Sequence, residues 1–412
     1  MPVDDLWYLG KRGSDGKRLP SKRHGRGKRW RVRYVDDTGQ PKQKLFERRA
    51  DADRFDVNTR ADVSRGQYVD PAAGKVTVTA YGEQWRKHQL HRDATAARIE
   101  MTLRVHVEPI LGRMQLAQVR PSHIQAWVKD RAKVLAPSSL RVVYHVLLGM
   151  FDAATRDRVI GRSPCIGIRL PEIERAERFI PTPDQVHALA DAFNVKPEPG
   201  KPSRERYRAL VYLAAGAGLR QGEAWGLELE HVDFLRREIR IVQQVVTPPG
   251  KSPRLAPPKT ATSRRTVEMG QVVADALARH IQIFPPVDVE ILDETNPRKP
   301  MIRKAKLLFT SGRGNPIQRT GWAYPWKKAV EAVDGVPEGF GYHGLRHYFA
   351  TLLIHGGASV KTVQMALGHA TPIITLNTYA GEWPEAIDRT RNLVDAALCQ
   401  QSGARLVTLG LP

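Results

Sequence analysis

Three short motifs, far apart in the sequence, carry side chains that suit a single reaction. Arg220 lies in the first motif, Arg346 lies between two histidines in the second, and His369 belongs to the third, ten residues before Tyr379. Arginine and histidine side chains can bind and neutralise a phosphate, and a tyrosine hydroxyl can attack that phosphate to form a covalent ester. A chain that uses these groups together must fold so that the three motifs converge on Tyr379 and one phosphodiester.

The charge of the chain indicates a polyanionic partner. Its 412 residues are long enough for two or three domains, and its hydrophobic content of 41% is ordinary, but the formal net charge is +22 and the pI is about 10.2. Nucleic acid is the commonest partner of so basic a protein. Cys165 and Cys399 are too few for a disulfide framework or a four-cysteine zinc site. With no apolar signal segment and no apolar stretch long enough to span a bilayer, the sequence predicts a soluble protein of the reducing cytoplasm.

The first 70 residues concentrate this positive charge. Residues 11–33 hold eleven Lys or Arg against one acid, and the glycines among them predict a flexible loop before a strand at 29–35. A turn at 36–39, a returning strand at 42–46 and a helix from Arg49 to about Ser64 complete a small sheet with one helix. Such a unit can lay a basic face in a major groove, although a solvated basic arm is the alternative. The predicted DNA-binding residues are Lys22, Arg23, Arg26, Lys28, Arg29, Arg31 and Arg33.

The rest of the chain is predicted to form a helical domain at 75–170, a linker at 171–182 and a large domain at 183–412. Proline and polar start signals predict four helices in the first of these, over 78–91, 95–109, 121–134 and 137–159. The large domain is predicted to be mostly helical, with a hairpin at 232–246, a strand at 265–269 and a short strand at 306–310. The predicted fold class is therefore mainly α with small β-sheets, in a multidomain chain.

The second motif is the most specific of the three. His343, Arg346 and His347 are spaced by three and four residues, so they share one face of a predicted helix start. The first turn also presents free backbone N–H groups to a bound anion. Histidines four residues apart can ligate zinc, but no glutamate lies between these two and the adjacent arginine repels a dication. We therefore predict no metal site here, and a structural hydrogen-bonding role for His347.

The other motif residues are ambiguous when taken singly. Arg220 could hold two phosphate oxygens in a bidentate fork, with Glu223 supporting it from the same helical face, but both could equally be surface residues. His369 follows a glycine and could be part of a helix cap. Tyr379 could be a core residue. Their order along the chain carries more information than any one of them.

In that order and spacing, the chain resembles the tyrosine recombinase (phage integrase) family. The resemblance rests on Gly218-Leu219-Arg220-x-Gly222-Glu223, His343-x-Leu345-Arg346-His347, Leu367-Gly368-His369 and Tyr379. It covers the whole large domain. The 75–170 segment is similar to the core-binding domain of the family, and residues 1–70 to the arm-type DNA-binding domain of some phage integrases.

The resemblance implies a chemistry and a set of catalytic residues. Tyr379 attacks a DNA phosphodiester to form a 3′-phosphotyrosine, Arg220, Arg346 and His369 stabilise the pentavalent state, and His343 is the general base. The family also implies a lysine that protonates the leaving 5′ oxygen. Lys259, before a predicted strand, is the best candidate, and Lys251 is its rival. No metal or nucleotide cofactor is implied, and no phosphate-binding Gly-x4-Gly-Lys-Ser/Thr loop is present.

The resemblance also implies partners and a cellular role. We expect an integrase of a phage or integrative element that acts as a tetramer on core-type and arm-type attachment sites in a bacterial host, near the nucleoid, with DNA-bending or directionality factors as possible helpers. A helix after Trp383, through about Ala397 and with Ile387, Leu393, Val394 and Leu398 apolar, would dock on a neighbouring protomer or pack within its own domain. The alternatives are a chromosome-dimer or plasmid resolvase, a type IB topoisomerase, and a DNA-binding regulator without catalytic activity.

Overall fold

The structure, a computed structural model, describes residues 3–36, 39–66, 68–70, 72–174, 178–196, 199–200 and 202–383. It divides into two compact units, residues 1–175 and 176–412. Helices predominate and the sheets are small, which confirms the predicted fold class. Within the described ranges, no helix is both long enough and apolar enough to cross a bilayer. The predicted helix after Trp383 lies outside the described residues, and so does the helix face with Ile387, Leu393, Val394 and Leu398.

The first unit begins with a three-stranded antiparallel sheet in the order β1-β4-β5. Its strands are β1 (Val3–Asp5), β4 (Trp30–Val35) and β5 (Pro41–Phe46), and helix α1 (Arg49–Ser64) packs on one face. Alternation along β4 buries Val32 and Tyr34 against Ala52 and Tyr68. The predicted strands and the predicted helix are confirmed.

The predicted flexible loop before β4 is wrong in its first part, up to Pro20. Strands β2 (Tyr8–Arg12) and β3 (Arg18–Pro20) form a second antiparallel hairpin there. Gly16 takes a positive φ of 73° in its turn and donates its N–H to the carbonyl of Gly13. The glycines therefore serve a tight turn, which needs this backbone conformation, instead of a flexible segment.

The remainder of the first unit is helical, as predicted. Its helices are α2 (Val78–Lys87), α3 (Asp93–Thr102), α4 (Glu108–Leu111), α5 (Pro121–Arg131) and α6 (Pro137–Arg156). The helix predicted over 95–109 is interrupted, because a π-helical turn at Leu103–Val107 joins α3 to α4. Trp127, Leu147, Met150 and Phe151 are fully buried at the centre of a separate core. The division of these residues into two domains stays a prediction.

The second unit is built around one apolar helix. Helix α8 (Arg208–Ala217) is buried at nearly every position and packs against α10 (Gln271–Ile283) and α12 (Tyr342–His355). A helix that is apolar on all sides lies inside a domain, not on its surface. The surrounding helices are α7 (Pro183–Asp191), α9 (Gln221–Trp225), α10 (Gln271–Ile283), α11 (Arg319–Glu331), α12 (Tyr342–His355), α13 (Val360–Leu367) and α14 (Pro372–Tyr379).

Two small sheets complete this unit. Strands β6 (Val232–Asp233), β7 (Glu238–Ile241) and β10 (Arg265–Glu268) form an antiparallel sheet in the order β10-β7-β6, and β10 confirms the strand predicted at 265–269. The hairpin predicted over 232–246 ends at Ile241, because β8 (Gln244–Val246) pairs with β9 (Arg254–Ala256) in the other sheet. That four-stranded sheet has the order β12-β11-β9-β8 and contains β11 (Val287–Asp293), which the sequence did not predict, and β12 (Met301–Leu307). The bounds of the strand predicted at 306–310 are wrong, because β12 ends at Leu307 and includes only the first two of these residues.

Candidate active site

Two glycines end the helices that frame the site. Gly218 follows α8 and Gly368 follows α13, and both take the left-handed conformation with φ of 63°. A Cβ atom at Gly218 would lie 2.4 Å from the ring of Phe349, so this position accepts glycine alone. The last carbonyl groups of both helices carry partial negative charge and lack partners within the helix.

Three arginines from distant segments meet at these carbonyl groups. Arg346 donates to the carbonyl oxygens of Gly218 and Leu367. Arg220 Nη2 lies 3.3 Å from the carbonyl oxygen of Gly368, and Arg265 Nε lies 2.7 Å from that of Ala366. The first and second motifs therefore converge as expected, and Arg265 on β10 joins them.

Glu223 is the acid that holds this cluster together. Its side chain is 2% exposed, and its carboxylate accepts hydrogen bonds from Arg220 Nη1 at 2.7 Å and Arg265 Nη2 at 3.0 Å. The same carboxylate accepts from the backbone N–H of Arg220 at 3.0 Å and so caps α9. Burial acts to raise the pKa of Glu223, but Arg265 and Arg220 outweigh it and the pKa is lowered. Three cations against one buried carboxylate leave the cluster positively charged.

Arg265 was missing from the predicted site. Sequence alternation did carry a signal, since Arg265 and Val267 occupy the same face of β10 and Val267 is buried. An arginine on a buried strand face needs an acidic or carbonyl partner. Its partners, Glu223, Gly218 and Ala366, come from other parts of the chain and are visible only in the fold.

The three histidines surround the arginine cluster in a neutral state. His343 and His347 lie on the first turns of α12, as predicted, with ring centroids 4.7 Å apart. His369 follows Gly368, and its Nδ1 lies 2.9 Å from Thr375 Oγ1. Burial and then the neighbouring arginines lower the pKa of His369 to about 4, and burial and then Arg178 lower that of His347 to about 3. Loss of hydration and then Arg346 also lower the pKa of His343, whose side chain is still exposed. Near pH 7 each ring can accept a proton or donate a hydrogen bond.

Tyr379 is the last residue of α14, and its hydroxyl lies beside the histidines of α12. It is 2% exposed and packs among Phe349, Val363 and Leu367. Its hydroxyl lies 2.7 Å from Nδ1 of His347, which agrees with the hydrogen-bonding role predicted for that histidine. Burial raises the pKa of Tyr379, while the charges of Arg346, Arg178 and Arg220 act in the opposite direction. The phenol is therefore within the electrostatic reach of the arginine cluster.

Lys259 lies on an exposed loop that is anchored at the same cluster. The loop joins β9 to β10, and Lys251 lies in the preceding turn between β8 and β9. Ser263, at the end of the loop, is fully buried, and its Oγ lies 2.8 Å from Thr260 Oγ1 and 3.3 Å from Arg220 Nη1. The structure thus ties the base of the Lys259 loop to Arg220 and leaves the lysine itself in solvent.

The predicted DNA-binding cations fall into two groups. Three of them on or beside β4 form ion pairs with the two acids of β1, at distances of 2.8 to 3.0 Å: Arg29 with Asp5, and Arg31 and Arg33 with Asp4. The other four lie in the exposed loop at 21–28, hereafter the basic loop, and form no ion pair with another described residue: Lys22, Arg23, Arg26 and Lys28. Among these seven predicted cations, the four of the basic loop therefore carry most of the positive charge that no acid offsets.

One group of potential metal ligands occurs among the described residues, away from the predicted motifs. Oxygen or nitrogen atoms of Glu228, Glu230 and His231 lie within 4.8 Å of one another. The Glu228 carboxylate already accepts from Arg303 at 2.6 Å and from Gln243 at 2.8 Å. These bonds account for Glu228 as a structural acid that pairs with Arg303.

Comparison with known proteins decides the family. Residues 181–384, about half of the chain, match the model of the phage integrase family. The chain belongs to the phage integrase family of tyrosine recombinases. Enzymes of this family cleave and rejoin DNA strands. The matched segment contains all three motifs and Tyr379, so the arginine cluster described above lies inside the family domain.

Individual relatives extend the similarity towards the N-terminus. The chain is 25% identical to the integrase of Mycobacterium phage D29 over 368 residues, which cover 86% of this chain and 90% of the phage protein. It is 30% identical to the tyrosine recombinase XerC of Mycobacterium tuberculosis over 218 residues, which cover 53% of this chain and 64% of that protein. Among solved structures, the Tn1549 transposon integrase in complex with transposon right end DNA shares the fold, with a TM-score of 0.65 and 21% identity over 78% of this chain and 99% of that chain.

Proposed function

We propose that this chain is a site-specific integrase that joins the DNA of a phage or another mobile element to a host chromosome through a 3′-phosphotyrosine. The observation that carries the proposal is the convergence of Arg220, Arg346 and His369 at the end of α13, within electrostatic reach of Tyr379. The similarity to the phage D29 integrase, which extends over most of both chains, favours integration over the other reactions of the family.

The charge of the site suits a phosphodiester that gains charge during the reaction. The scissile phosphate brings one negative charge, and attack by the tyrosine adds a second in the pentavalent state. Arg220 and Arg346 are oriented in advance by helix carbonyl groups, so they need no reorganisation when that charge develops. His369 would add a hydrogen bond from its neutral ring.

The proton movements follow from the histidines and Lys259. The Tyr379 oxygen forms a bond to phosphorus while the bond from phosphorus to the 5′ oxygen breaks. His343, the base that the family resemblance implies and whose ring centroid lies 4.7 Å from that of His347, accepts the phenolic proton once the hydroxyl leaves His347 to attack, and Lys259 donates a proton to the departing 5′ oxygen. A 5′ hydroxyl from a partner duplex then reverses the step and joins new strands.

Replacing the general acid has a chemical signature of its own. We expect Lys259→Ala to slow the formation of the covalent complex by roughly 100-fold or more, because the 5′ alkoxide would leave without its proton. A substrate with sulfur in place of the bridging 5′ oxygen needs no acid, since a thiolate leaves readily. On this substrate, we expect Lys259→Ala to form the covalent complex at a rate within a few-fold of that of the wild type, measured by single-turnover gel assays.

The rival lysine supplies the matched control. Lys251→Ala should cleave both substrates at the rate of the wild type. If Lys259→Ala were equally slow on the sulfur substrate, its role would not be proton donation. If Lys251→Ala showed the sulfur rescue instead, the general acid would be Lys251.

We propose that the basic loop is the main DNA-binding element of the first unit. Its four cations are exposed, whereas Asp4 and Asp5 pair with the arginines beside and on β4. The loop is anchored, because Ser21 donates its N–H to the carbonyl oxygen of Trp7 at 2.8 Å and His24 lies 3.1 Å from the Tyr8 hydroxyl. Cations on an anchored loop can contact successive phosphates of a duplex. We propose that this duplex is an arm-type site, while core-type sites bind elsewhere on the chain.

Exchange of all four strands of two duplexes requires four tyrosines, so we propose that the chain acts as a tetramer on DNA.

The test of function is an integration assay with the attachment DNA that flanks its gene and with the corresponding host duplex. Bacterial host extract is added to supply DNA-bending factors. We expect recombinant joints from the wild type. We expect at least about a tenfold loss for a variant with Lys22, Arg23, Arg26 and Lys28 replaced by alanine, since four phosphate contacts are removed.

Cleavage of a core-site duplex by the same variant is the internal control, and it should be unchanged. Undiminished integration would refute the arm-site proposal alone. Strand cleavage and resealing without recombinant joints would instead indicate a topoisomerase. Joints formed only between two copies of one chromosomal site would indicate a resolvase, the reading that the XerC similarity favours. DNA binding without any cleavage would indicate a regulator.

A further inference from the structure

Arg178 contacts the segment of the nucleophile although it lies 200 residues before Thr378 in the sequence. Its Nη1 donates to the carbonyl oxygen of Thr378 at 3.1 Å, and its guanidinium carbon lies 5.5 Å from the centroid of the Tyr379 ring. We propose that Arg178 is a positioning residue that holds Tyr379 in place for attack on the phosphate. This inference rests on the proposed function.

The backbone contact has a simple electrostatic cause. Thr378 lies in the last turn of α14, where the carbonyl groups lack partners within the helix and carry partial negative charge. A guanidinium group satisfies such a carbonyl and also favours the charge at that helix end. Arg178 thus anchors the backbone directly before the nucleophile, at the point where α14 ends.

The ring contact restrains the phenol itself. Arg178 lies over the ring of Tyr379, and His347 binds the hydroxyl at 2.7 Å, with its ring centroid 5.5 Å from that of the tyrosine. Val363 and Leu367 belong to the cluster that packs around the ring. With Arg178 removed, the Thr378 carbonyl and one side of the Tyr379 ring would each lose a contact with a guanidinium group.

The position of Arg178 also distinguishes it from the phosphate-binding arginines. Arg220 and Arg346 are bound to the carbonyl groups that end α13 and α8, whereas Arg178 is bound to the end of α14 and to the tyrosine. Its positive charge acts to lower the pKa of His343, of His347 and of Tyr379. We therefore assign it an effect on the nucleophile and none on the binding of the phosphate.

The first experiment measures single-turnover formation of the covalent complex on a nicked duplex that traps it, with the full chain at saturating concentration. We expect Arg178→Ala to slow this step by about tenfold at unchanged DNA affinity, because small misplacements of a nucleophile cost at least this much. Arg178→Lys, which keeps the charge but loses the planar fork, should lie in between. Arg236→Ala, which removes another exposed cation of the same unit, should match the wild type.

The second experiment separates the tyrosine from the phosphate. In the Tyr379→Phe background, hydrogen peroxide is supplied as a small nucleophile that attacks the bound phosphodiester in place of the phenol. Arg178→Ala should leave the rate of this cleavage unchanged, whereas Arg346→Ala should lower it. The combination of slow tyrosine cleavage and unchanged peroxide cleavage supports the proposal.

Three results would overturn it. They are covalent-complex formation by Arg178→Ala at or above the rate of the wild type, an equal loss in the peroxide assay, and weaker DNA binding that accounts for the whole loss. A wild-type protein that forms no covalent complex with any attachment DNA would instead refute the proposed function. The two failures are therefore distinguishable.

Discussion

Tyr379→Phe is expected to abolish covalent cleavage of DNA, with a loss of at least about 10,000-fold, because no other described side chain holds a nucleophilic oxygen against His347. Affinity for attachment DNA should stay within about twofold of that of the wild type, since the cations are untouched. The measurement is the yield of protein bound covalently to a nicked duplex, together with a binding titration. Peptide mapping of the wild-type complex should place the DNA on Tyr379.

The control is Tyr348→Phe, which removes a hydroxyl from a half-buried tyrosine on α12. It should form the covalent complex at the wild-type rate. A covalent complex in Tyr379→Phe, or a DNA adduct on Tyr348, would refute the assignment of the nucleophile. Loss of DNA binding by Tyr379→Phe would show that the phenol supports the fold and would leave the chemistry to another residue.

Glu223→Ala is expected to destabilise the second unit by about 3–5 kcal/mol, because it leaves the buried Arg265 without its acidic partner. The measurement is the free energy of unfolding in urea, followed by tryptophan fluorescence. Glu290→Ala, which removes an exposed acid on β11, should change this free energy by less than about 0.5 kcal/mol. The double variant Glu223→Gln with Arg265→Met should recover part of the loss, since the buried Arg265 guanidinium is then no longer present without an acidic partner.

The contribution of Glu223 should also depend on pH in a defined direction. Its pKa in the folded protein lies below the ordinary value of 4.5, so the carboxylate stabilises the fold above that pH. The contribution is lost as the pH falls from 4.5 through the pKa of the folded state. The difference in unfolding free energy between wild type and Glu223→Ala should therefore shrink in acid. A difference that grows there would contradict the ion-pair explanation.

The sequence predicted those site residues whose spacing is local. His343, Arg346 and His347 share a helix face through a spacing of three and four residues, and the structure places them on the first turns of α12. The helix that ends at Leu367 with a left-handed Gly368 was also predictable from its glycine. Both inferences need only the geometry of one helix.

The missed features depend on contacts between distant segments. Arg265 and Arg178 could not be assigned because their partners, Glu223 and Thr378, are 42 and 200 residues away. Strand β11 is an exception, because Val287, Val289 and Ile291 alternate with acidic residues at the period of a strand and so made it predictable. The hairpin of β2 and β3 was missed because a glycine-rich basic segment has the composition of a loop, although its turn needs glycine for geometric reasons.

The carbonyl oxygen of Gly218 accepts hydrogen bonds from both Arg346 and Arg265, two residues on different elements. The peptide unit that bears it can point to them only because the glycine adopts a conformation that side chains disfavour, next to the ring of Phe349. The orientation of these two arginines is thus set by the main chain, and the arginine cluster is assembled as soon as this unit has folded. DNA bound as proposed above would therefore meet guanidinium groups that are already in position.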